Sequence, residues 1–187
     1  WRTNFNVSRN INKILTPVDS IPMYRGYTAE GVDGTNVIAQ GQPIGSFYGL
    51  NYLGVNPATG DAMYEDRNKD GAITNADAMV FPNSWPKLIG GITNTVSYRG
   101  FDFSMLFTFS WANEILNLTK AGLVNMGTDL TSNQLRESLR RWQKPGDLTD
   151  VPRYEFGNTA NTLHSNRLLE DGSYLRLRNV SLGYNLP

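Results

Sequence analysis

A run of aromatic residues at every second position constrains the fold of this chain more than any other feature. The run consists of Phe101, Phe103, Met105, Phe107, Phe109 and Trp111, and the residues between them are Asp102, Ser104, Leu106, Thr108 and Ser110. Because successive side chains of a strand point to opposite faces, the run predicts a strand with one apolar face and one mostly polar face. Its period of two excludes an amphipathic helix over these residues.

Three further segments alternate in the same way, so the sequence predicts four long strands. The strands lie near residues 1–10, 89–98, 101–111 and 173–186. Arg99-Gly100 joins the second to the third as a tight antiparallel hairpin, because glycine adopts the positive φ that short hairpin loops require. The fourth strand is less regular, since its apolar residues change parity between Leu177 and Val180.

The connections between these strands are very unequal in length. Long loops near 11–88 and 112–172 contrast with the tight turn at Arg99-Gly100. Loops of that length are rare in compact soluble domains, whereas transmembrane barrels combine short periplasmic turns with long extracellular loops.

Two local structures are predicted inside these loops. A small β-hairpin is expected from Ser46–Tyr52 to Ala62–Tyr64, around a turn at Asn56–Gly60. A short helix is expected from Ser132 to Lys144, because Leu135, Leu139 and Trp142 recur at helical spacing.

The apolar strand faces could pack against a second sheet in a soluble sandwich or face lipid in a barrel wall. Sandwich cores usually mix in many Val, Ile and Leu residues, whereas the stripe from Phe101 to Trp111 is mostly phenylalanine with aromatic residues at both ends. Its length also matches the roughly 9–11 residues with which a tilted strand crosses the hydrocarbon. The predicted fold class is therefore all-β: part of a large antiparallel transmembrane β-barrel with long extracellular loops and a short loop helix.

Four strands do not close a barrel, and an open sheet edge in lipid leaves backbone groups unsatisfied. We therefore expect residues 1–187 to form a partial barrel domain, with the remaining wall supplied by sequence outside this chain.

Charge and cysteine content exclude several other classes of function. Seventeen basic and seventeen acidic residues cancel, so the chain lacks the positive surface of a nucleic-acid binder. The sequence contains no cysteine, which excludes disulfides and thiolate metal sites.

One segment matches the spacing of a calcium-binding loop. Oxygen-bearing groups occur at positions 1, 3, 5, 7, 9 and 12, with glycine at position 6. The candidate ligands are Asp66, Asn68, Asp70, the backbone carbonyl of Ala72, Thr74 and Asp77. The alternative interpretation is a surface turn rich in Asn, Asp and Gly that binds no metal.

No residue pattern supports catalysis. His164 is the single histidine, without an inferable nucleophile or metal-binding companion, so we interpret it as loop polarity. Glu170 and Asp171 are adjacent and point apart in an extended segment, which excludes an acid/base pair. The glycines at 41, 45 and 49 are expected in turns and bulges. Loop aromatics are expected to pack the loops together instead of stacking on sugars; they are Tyr48, Tyr52, Tyr64, Trp85 and Tyr154.

Six segments in order along nearly the whole chain carry a family resemblance: Gly41–Gly49, Asp66–Gly71, Tyr98–Asp102, Arg141-Trp142, Val151–Arg153 and Leu169–Pro187. Together they resemble the C-terminal third of SusC/RagA-type TonB-dependent transporters. The resemblance implies a barrel of many strands with an N-terminal plug in the outer membrane of a Gram-negative bacterium. It also implies a SusD-like lipoprotein partner, energy from TonB through a missing N-terminal part, and import of oligosaccharides or peptides.

The resemblance implies a transporter and not an enzyme. The alternative from another class is a soluble extracellular glycan-binding module stapled by calcium. Dependence on detergent would separate the two, because the module would be monomeric and folded in plain buffer.

Overall fold

The structure is a computed structural model, and it describes residues 1–16, 23–25 and 35–186. Parts of the first predicted loop, 17–22 and 26–34, and Pro187 lie outside the described residues. The strands are β1 (Arg2–Ser8), β2 (Met23–Arg25), β3 (Asn36–Ile38), β4 (Ser46–Gly49), β5 (Tyr52–Val55), β6 (Ala62–Tyr64), β7 (Met79–Asn83), β8 (Leu88–Tyr98), β9 (Phe101–Trp111), β10 (Glu114–Leu116), β11 (Leu169–Asp171) and β12 (Tyr174–Tyr184). The α-helix is α1 (Leu118–Leu123), and short 3₁₀ turns lie at Asn75–Asp77, Arg136–Arg140, Thr159–Thr162 and Asn166–Leu168. The all-β prediction is confirmed.

The chain divides into two compact units. The first, called the strand unit, comprises Trp1–Asn12, Asn83–Ile115 and Asp171–Pro187. The second, called the loop unit, comprises Lys13–Pro82 and Leu116–Glu170. Among the residues that the structure describes, no helix has the length and apolarity needed to cross a membrane.

The strand unit is built on one antiparallel four-stranded sheet in the order β1-β8-β9-β12. The four strands keep their chain order across this sheet, as in an up-and-down meander. Their bounds lie within two residues of the four predicted strands. The assignment of the whole chain as a partial barrel domain stays a prediction.

The predicted hairpin between β8 and β9 closes at Arg99-Gly100. Tyr98 pairs with Phe101, and the two turn residues have φ values of 48° and 84°. Two consecutive positive φ values are typical of the type I′ turn, whose twist matches that of the flanking strands.

A β-bulge explains the parity change in the fourth predicted strand. In the β9–β12 pairing Leu177 lies opposite Phe107 and Asn179 lies opposite Leu106, so Arg178 is the extra residue. Because a bulge places two residues opposite one, the alternation restarts after it. The side chains that appeared to lie on different faces are therefore on the same face of the sheet: Leu175, Leu177, Val180, Leu182 and Tyr184.

The loop unit contains two small sheets, β2-β3-β4-β7 and β5-β6. One buried cluster contains Val37, Tyr48, Leu50 and Ala78, and a second contains Val124, Met126, Val151 and Leu168. The β5–β6 pair forms the predicted hairpin, with Tyr52 opposite Tyr64. The prediction was too broad at its start, because Ser46–Gly49 forms the separate strand β4, which pairs with β3.

The predicted helix over 132–144 is wrong. Only a 3₁₀ turn forms there, at Arg136–Arg140, whereas the α-helix lies at Leu118–Leu123. The backbone leaves the helical path because Trp142 donates its N–H to the carbonyl of Val151. Leu139, which would have faced a core in the predicted helix, is 67% exposed.

Candidate functional site

The face of the sheet that carries the aromatic run is apolar across all four strands of the strand unit. Phe107 lies between Ile92 of β8 and Leu177 of β12, and Phe5 of β1 continues this row beyond Ile92. The bulge keeps β12 in the same arrangement along its whole length. The result is a continuous apolar surface, called the wall face below.

Side chains of the wall face are strongly exposed for apolar residues. Phe5 is 61% exposed and Leu182 is 71% exposed, whereas Phe103, Phe107 and Phe109 are half-buried by neighbours on their own sheet. The described residues of the strand unit form a single long-stranded layer, not two facing sheets. A soluble monomer rarely exposes an apolar patch that extends over four strands, so this surface is typical of one that contacts lipid or a partner.

Gly90 is a tightly packed position of the wall face. Gly90 lies opposite Phe109, and a Cβ atom built on Gly90 would lie 2.7 Å from the Phe109 ring and 2.3 Å from the carbonyl oxygen of Asn6. The Phe109 ring therefore occupies the space that a side chain at position 90 would take. Covering a strand glycine with a cross-strand aromatic ring compensates for the missing side chain.

Aromatic residues mark both ends of the wall face. At the hairpin end the rings of Phe101 and Tyr184 are 4.6 Å apart, and the guanidinium of Arg99 lies 5.3 Å from the centre of the Tyr98 ring. At the other end Trp111 is 57% exposed. Rings at the two ends of an apolar band are typical of interfacial girdles in membrane barrels.

The opposite face of the sheet is polar. Asp102 accepts hydrogen bonds from the Ser97 hydroxyl and from the Asn185 amide, the latter at 2.9 Å. Thr95 and Ser104 are 3.4 Å apart through their hydroxyl oxygens. Such a face can line water, whereas the wall face cannot.

Within the strand unit, one polar pair interrupts the wall face. The Thr3 hydroxyl donates to Asn94 Oδ1 at 2.6 Å, so these two side chains satisfy part of each other's hydrogen-bonding capacity. Pairing lowers the cost of placing polar groups among apolar ones.

The predicted calcium loop forms a turn closed by its own hydrogen bonds. Asp66 accepts from the backbone N–H groups of Lys69 and Gly71 at 2.7 and 2.9 Å. The side-chain amide of Asn68 donates to Asp70 at 2.8 Å, and Asp70 also accepts from the backbone of Ala72 at 2.9 Å. This network is that of a turn rich in Asx hydrogen bonds.

Asp77, the last predicted ligand, is buried and is engaged by the backbone. It accepts from Arg67 and Asn68 on one oxygen and from Thr74 on the other, in a capping box with Thr74. The Thr74 N–H is the largest of the influences that hold the pKa of Asp77 below its ordinary value, against the opposing effect of burial. Among the described residues no three acidic or histidine side chains converge as metal ligands. Calcium binding by this loop stays a prediction.

Segments quoted for the family resemblance meet in the loop unit. A Cβ on Gly60 would lie 2.4 Å from the Trp142 ring, and the Trp142 indole N–H donates to the carbonyl of Pro57 at 3.0 Å. Arg153 donates from its backbone to Gly60 and from its side chain to Asp61 at 2.7 Å. Gly60 has a φ of +82°, which glycine adopts readily, and the Trp142 ring leaves no room for a side chain there. Both properties require glycine at this position.

His164 is buried, which corrects its interpretation as loop polarity. Its ring lies 3.1 Å from the position that a Cβ of Gly49 would take. Burial lowers the pKa of His164, and a hydrogen bond to the backbone of Tyr48 opposes this shift. The ring is therefore a neutral part of the loop core.

The loop aromatics fall into two groups. Tyr48, Tyr52 and Tyr64 pack as predicted, with the last two rings in an edge contact at 5.7 Å. Trp85 and Tyr154 are instead half exposed or nearly so.

Sequence reasoning missed two positions that shape the wall face: Gly90 and Arg178. The parity change between Leu177 and Val180 signals an irregularity in the sequence, but only the pairing with β9 shows that Arg178 is the extra residue. The role of Gly90 could not be found from the sequence, because it depends on the cross-strand register with Phe109.

Comparison with known proteins adds an independent line of evidence. No family model matches the chain. Curated proteins that match all or nearly all of it include TonB-dependent receptor P3 of Formosa agariphila, at 32% identity over 206 residues, and TonB-dependent receptor SusC of Bacteroides thetaiotaomicron, at 26% identity over 196 residues. The chain spans 20% and 18% of the length of these two relatives.

Solved structures share the fold. The structure of the RagAB peptide transporter matches 99% of this chain and 20% of its own chain, with a TM-score of 0.83 and 22% sequence identity. The RagAB peptide importer in its open-open state matches with a TM-score of 0.79. The matched proteins are named as receptors, transporters and importers, and none of these names is that of an enzyme.

Proposed function

The chain belongs to the SusC/RagA-type TonB-dependent receptors, and on that premise we propose that it forms part of the barrel wall and loops of an outer-membrane importer. The wall face is the observation that carries this proposal. It extends over four adjacent strands, is apolar from Phe5 to Leu182 and bears aromatic residues at both ends. Strands of eleven residues, such as β9, match the hydrocarbon thickness when tilted.

The proposed orientation follows from the connections. The Arg99-Gly100 turn is periplasmic, and the long connections 11–88 and 112–172 are extracellular, because barrels of this kind have short turns on the periplasmic side. The open edges of the sheet, β1 and β12, pair with further barrel strands, since unpaired strand edges are too costly in lipid.

We assign the receptor to the outer membrane of a Gram-negative bacterium, with TonB as its energy source and a SusD-like lipoprotein as its extracellular partner. The relatives support this assignment through their names as TonB-dependent receptors and as a component of RagAB. The proposed cargo is an oligosaccharide or a peptide. RagAB is named as a peptide importer.

The loop unit offers two concave surfaces for such cargo. One has a volume of about 460 Å³ and includes Asp129, Ser132 and His164; the other has a volume of about 490 Å³ and includes Arg141 and Tyr154. Both volumes are in the range of ligand pockets. The hydroxyls of Ser132 and Thr131 lower the pKa of Asp129 to about 2, so the first pocket carries a fixed negative charge.

Single-cysteine labelling of the full receptor in outer-membrane vesicles, with any cysteine outside residues 1–187 replaced, tests the wall directly, since these residues contain no cysteine. Phe107→Cys should react with a membrane-soluble maleimide and resist a charged one, whereas Ser104→Cys, on the opposite face, should react with the charged reagent. Equal reaction of Phe107→Cys with both reagents would contradict the proposal.

Uptake by cells tests the transport function separately. Deleting the receptor gene should abolish import of one cargo class, with growth on simple sugars or amino acids as the control. Loss of TonB should have the same effect, and the receptor should copurify with a lipoprotein in detergent. A receptor that is monomeric and folded without detergent would favour the soluble glycan-binding module instead.

Calcium at Asp66, Asn68, Asp70, Ala72, Thr74 and Asp77 is proposed as a structural staple of the loop unit. The carboxylates keep lone pairs that their backbone hydrogen bonds do not use. Asp77 keeps fewer, because its carboxylate already accepts three backbone hydrogen bonds. Calorimetry of the intact receptor should detect calcium uptake that Asp70→Ala removes. Absence of uptake by the unaltered receptor would end this proposal.

A further inference from the structure

Arg167 is a cationic side chain of the loop unit without an acidic partner. It lies in the 3₁₀ turn Asn166–Leu168, and its guanidinium carbon is 5.5 Å from the centre of the Tyr52 ring. Among the described residues no Asp or Glu forms an ion pair with it, and its Nη2 atom is buried without a protein acceptor. A buried donor on a charged group is costly to leave unsatisfied.

Arg167 lines a small cavity that contains no acidic side chain. The cavity has a volume of about 20 Å³, and Tyr64, Asn161 and Ser165 also contribute to its wall. A single water-sized particle needs about 10–15 Å³, so the cavity has room for one small species.

The other polar groups of the wall do not neutralise Arg167. Burial raises the pKa of Tyr64 well above its ordinary value and that of Tyr52 to about 12, so both phenols stay neutral near pH 7. A hydrogen bond from the backbone of Leu163 opposes the rise in the pKa of Tyr64, and a neutral phenol can also donate its own proton. The cavity is therefore lined by a cationic residue and by a neutral tyrosine from segments that are distant in sequence.

We propose that this cavity binds one monatomic anion, chloride under ordinary conditions, between Arg167 Nη2 and the Tyr64 hydroxyl. The anion accepts hydrogen bonds from both donors and supplies the negative charge that the protein does not. Because Tyr64 belongs to the β5–β6 hairpin and Arg167 to the segment before β11, the ion joins two stretches of chain that are distant in sequence. This site is independent of the transport function and of the calcium proposal.

Crystals of the full receptor grown in bromide test the site. An anomalous peak is expected in the cavity beside Arg167, and it should be lost in Arg167→Gln. Arg136→Gln serves as the control, since Arg136 is exposed and does not line the cavity. A cavity that holds only water in bromide-grown crystals overturns the proposal.

Hydrogen exchange gives a second readout that does not depend on crystals. Residues 161–168 should exchange more slowly in chloride than in gluconate, an anion too large for the cavity, at equal ionic strength. With chloride tenfold above its dissociation constant, the expected slowing is about tenfold. Tyr64→Phe should reduce this difference while keeping the ring packing, which covers the case that Arg167→Gln fails to fold. If chloride slows exchange as much in Tyr64→Phe and in Arg167→Gln as in the unaltered receptor, the assignment is wrong.

Discussion

Placing an arginine on either side of β9 distinguishes the face that meets lipid from the face that meets water. Phe107 and Leu106 are adjacent near the middle of the strand, and both are half-buried apolar residues. They differ in direction: Phe107 belongs to the wall face, whereas Leu106 lies between Thr93 and Asn179 on the polar face. A hydropathy argument would treat Phe107→Arg and Leu106→Arg alike.

The magnitude follows from the depth of these residues. Eleven residues with a rise of about 3.4 Å, tilted by about 40°, span roughly 26 Å along the membrane normal, close to the apolar band of about 25 Å. Phe107 is then within about 3 Å of the bilayer midplane, where an arginine costs about 2–4 kcal/mol. Leu106→Arg should cost less than about 1 kcal/mol, because its side chain enters a water-lined interior.

The assay is urea-dependent folding of the full receptor into lipid vesicles, followed by heat-modifiable gel mobility. Phe107→Arg should shift the folding equilibrium by roughly 30- to 700-fold, and Phe107→Leu should change it little because the replacement is apolar. An equal or greater loss for Leu106→Arg would mean that the wall face does not meet lipid.

Two further substitutions and a change of pH probe packing and titration. Gly90→Ala should destabilise the strand unit by about 1–3 kcal/mol in the same folding assay, because the added methyl meets the Phe109 ring and a backbone oxygen. Trp142→Ala should weaken the loop unit by about 3 kcal/mol, measured by hydrogen exchange, because it removes the ring packed on Gly60. Lowering the pH through and below about 6.5 should loosen the residues around His164. Burial lowers the pKa of His164 in the folded state, so the stabilisation that is present above the ordinary pKa is lost as the ring becomes protonated.

Matched controls accompany these predictions. Gly122→Ala should be neutral or slightly stabilising, because a Cβ there meets open space and the residue is helical. Trp85→Ala should change stability by less than about 0.5 kcal/mol, because its side chain is half exposed. His164→Gln should remove the pH dependence of the local protection from exchange near pH 6, after correction for the intrinsic exchange rate. Pronounced losses in the first two variants, or a persistent pH effect in the third, would contradict the packing described for these sites.

The long strands were predictable because their signal is local. In β9 every side chain has a fixed direction, so the period of two and the glycine after Arg99 specify both strand and turn. The apolar parity change in β12 was visible in the sequence, but its meaning required the pairing with β9, which showed that Arg178 is extra.

The loop unit was less predictable because its contacts are distant in sequence. Leu135, Leu139 and Trp142 have helical spacing, yet Trp142 is held by Val151 and packs on Gly60, so tertiary contacts override the local pattern. The burial of His164 depends on Gly49, more than a hundred residues earlier in the chain. No local pattern reports such a contact.

The extra residue in β12 also determines where this strand tolerates a change of length. Deleting a residue on either side of the pair Arg178-Asn179 would rotate one half of the strand, so that leucines pointed into the water-lined interior and arginine or asparagine pointed outward. Removing Arg178 instead would place Leu177 directly before Asn179 and leave a regular strand with every other side chain on its present face. Length differences between related receptors in this strand should therefore concentrate at this position.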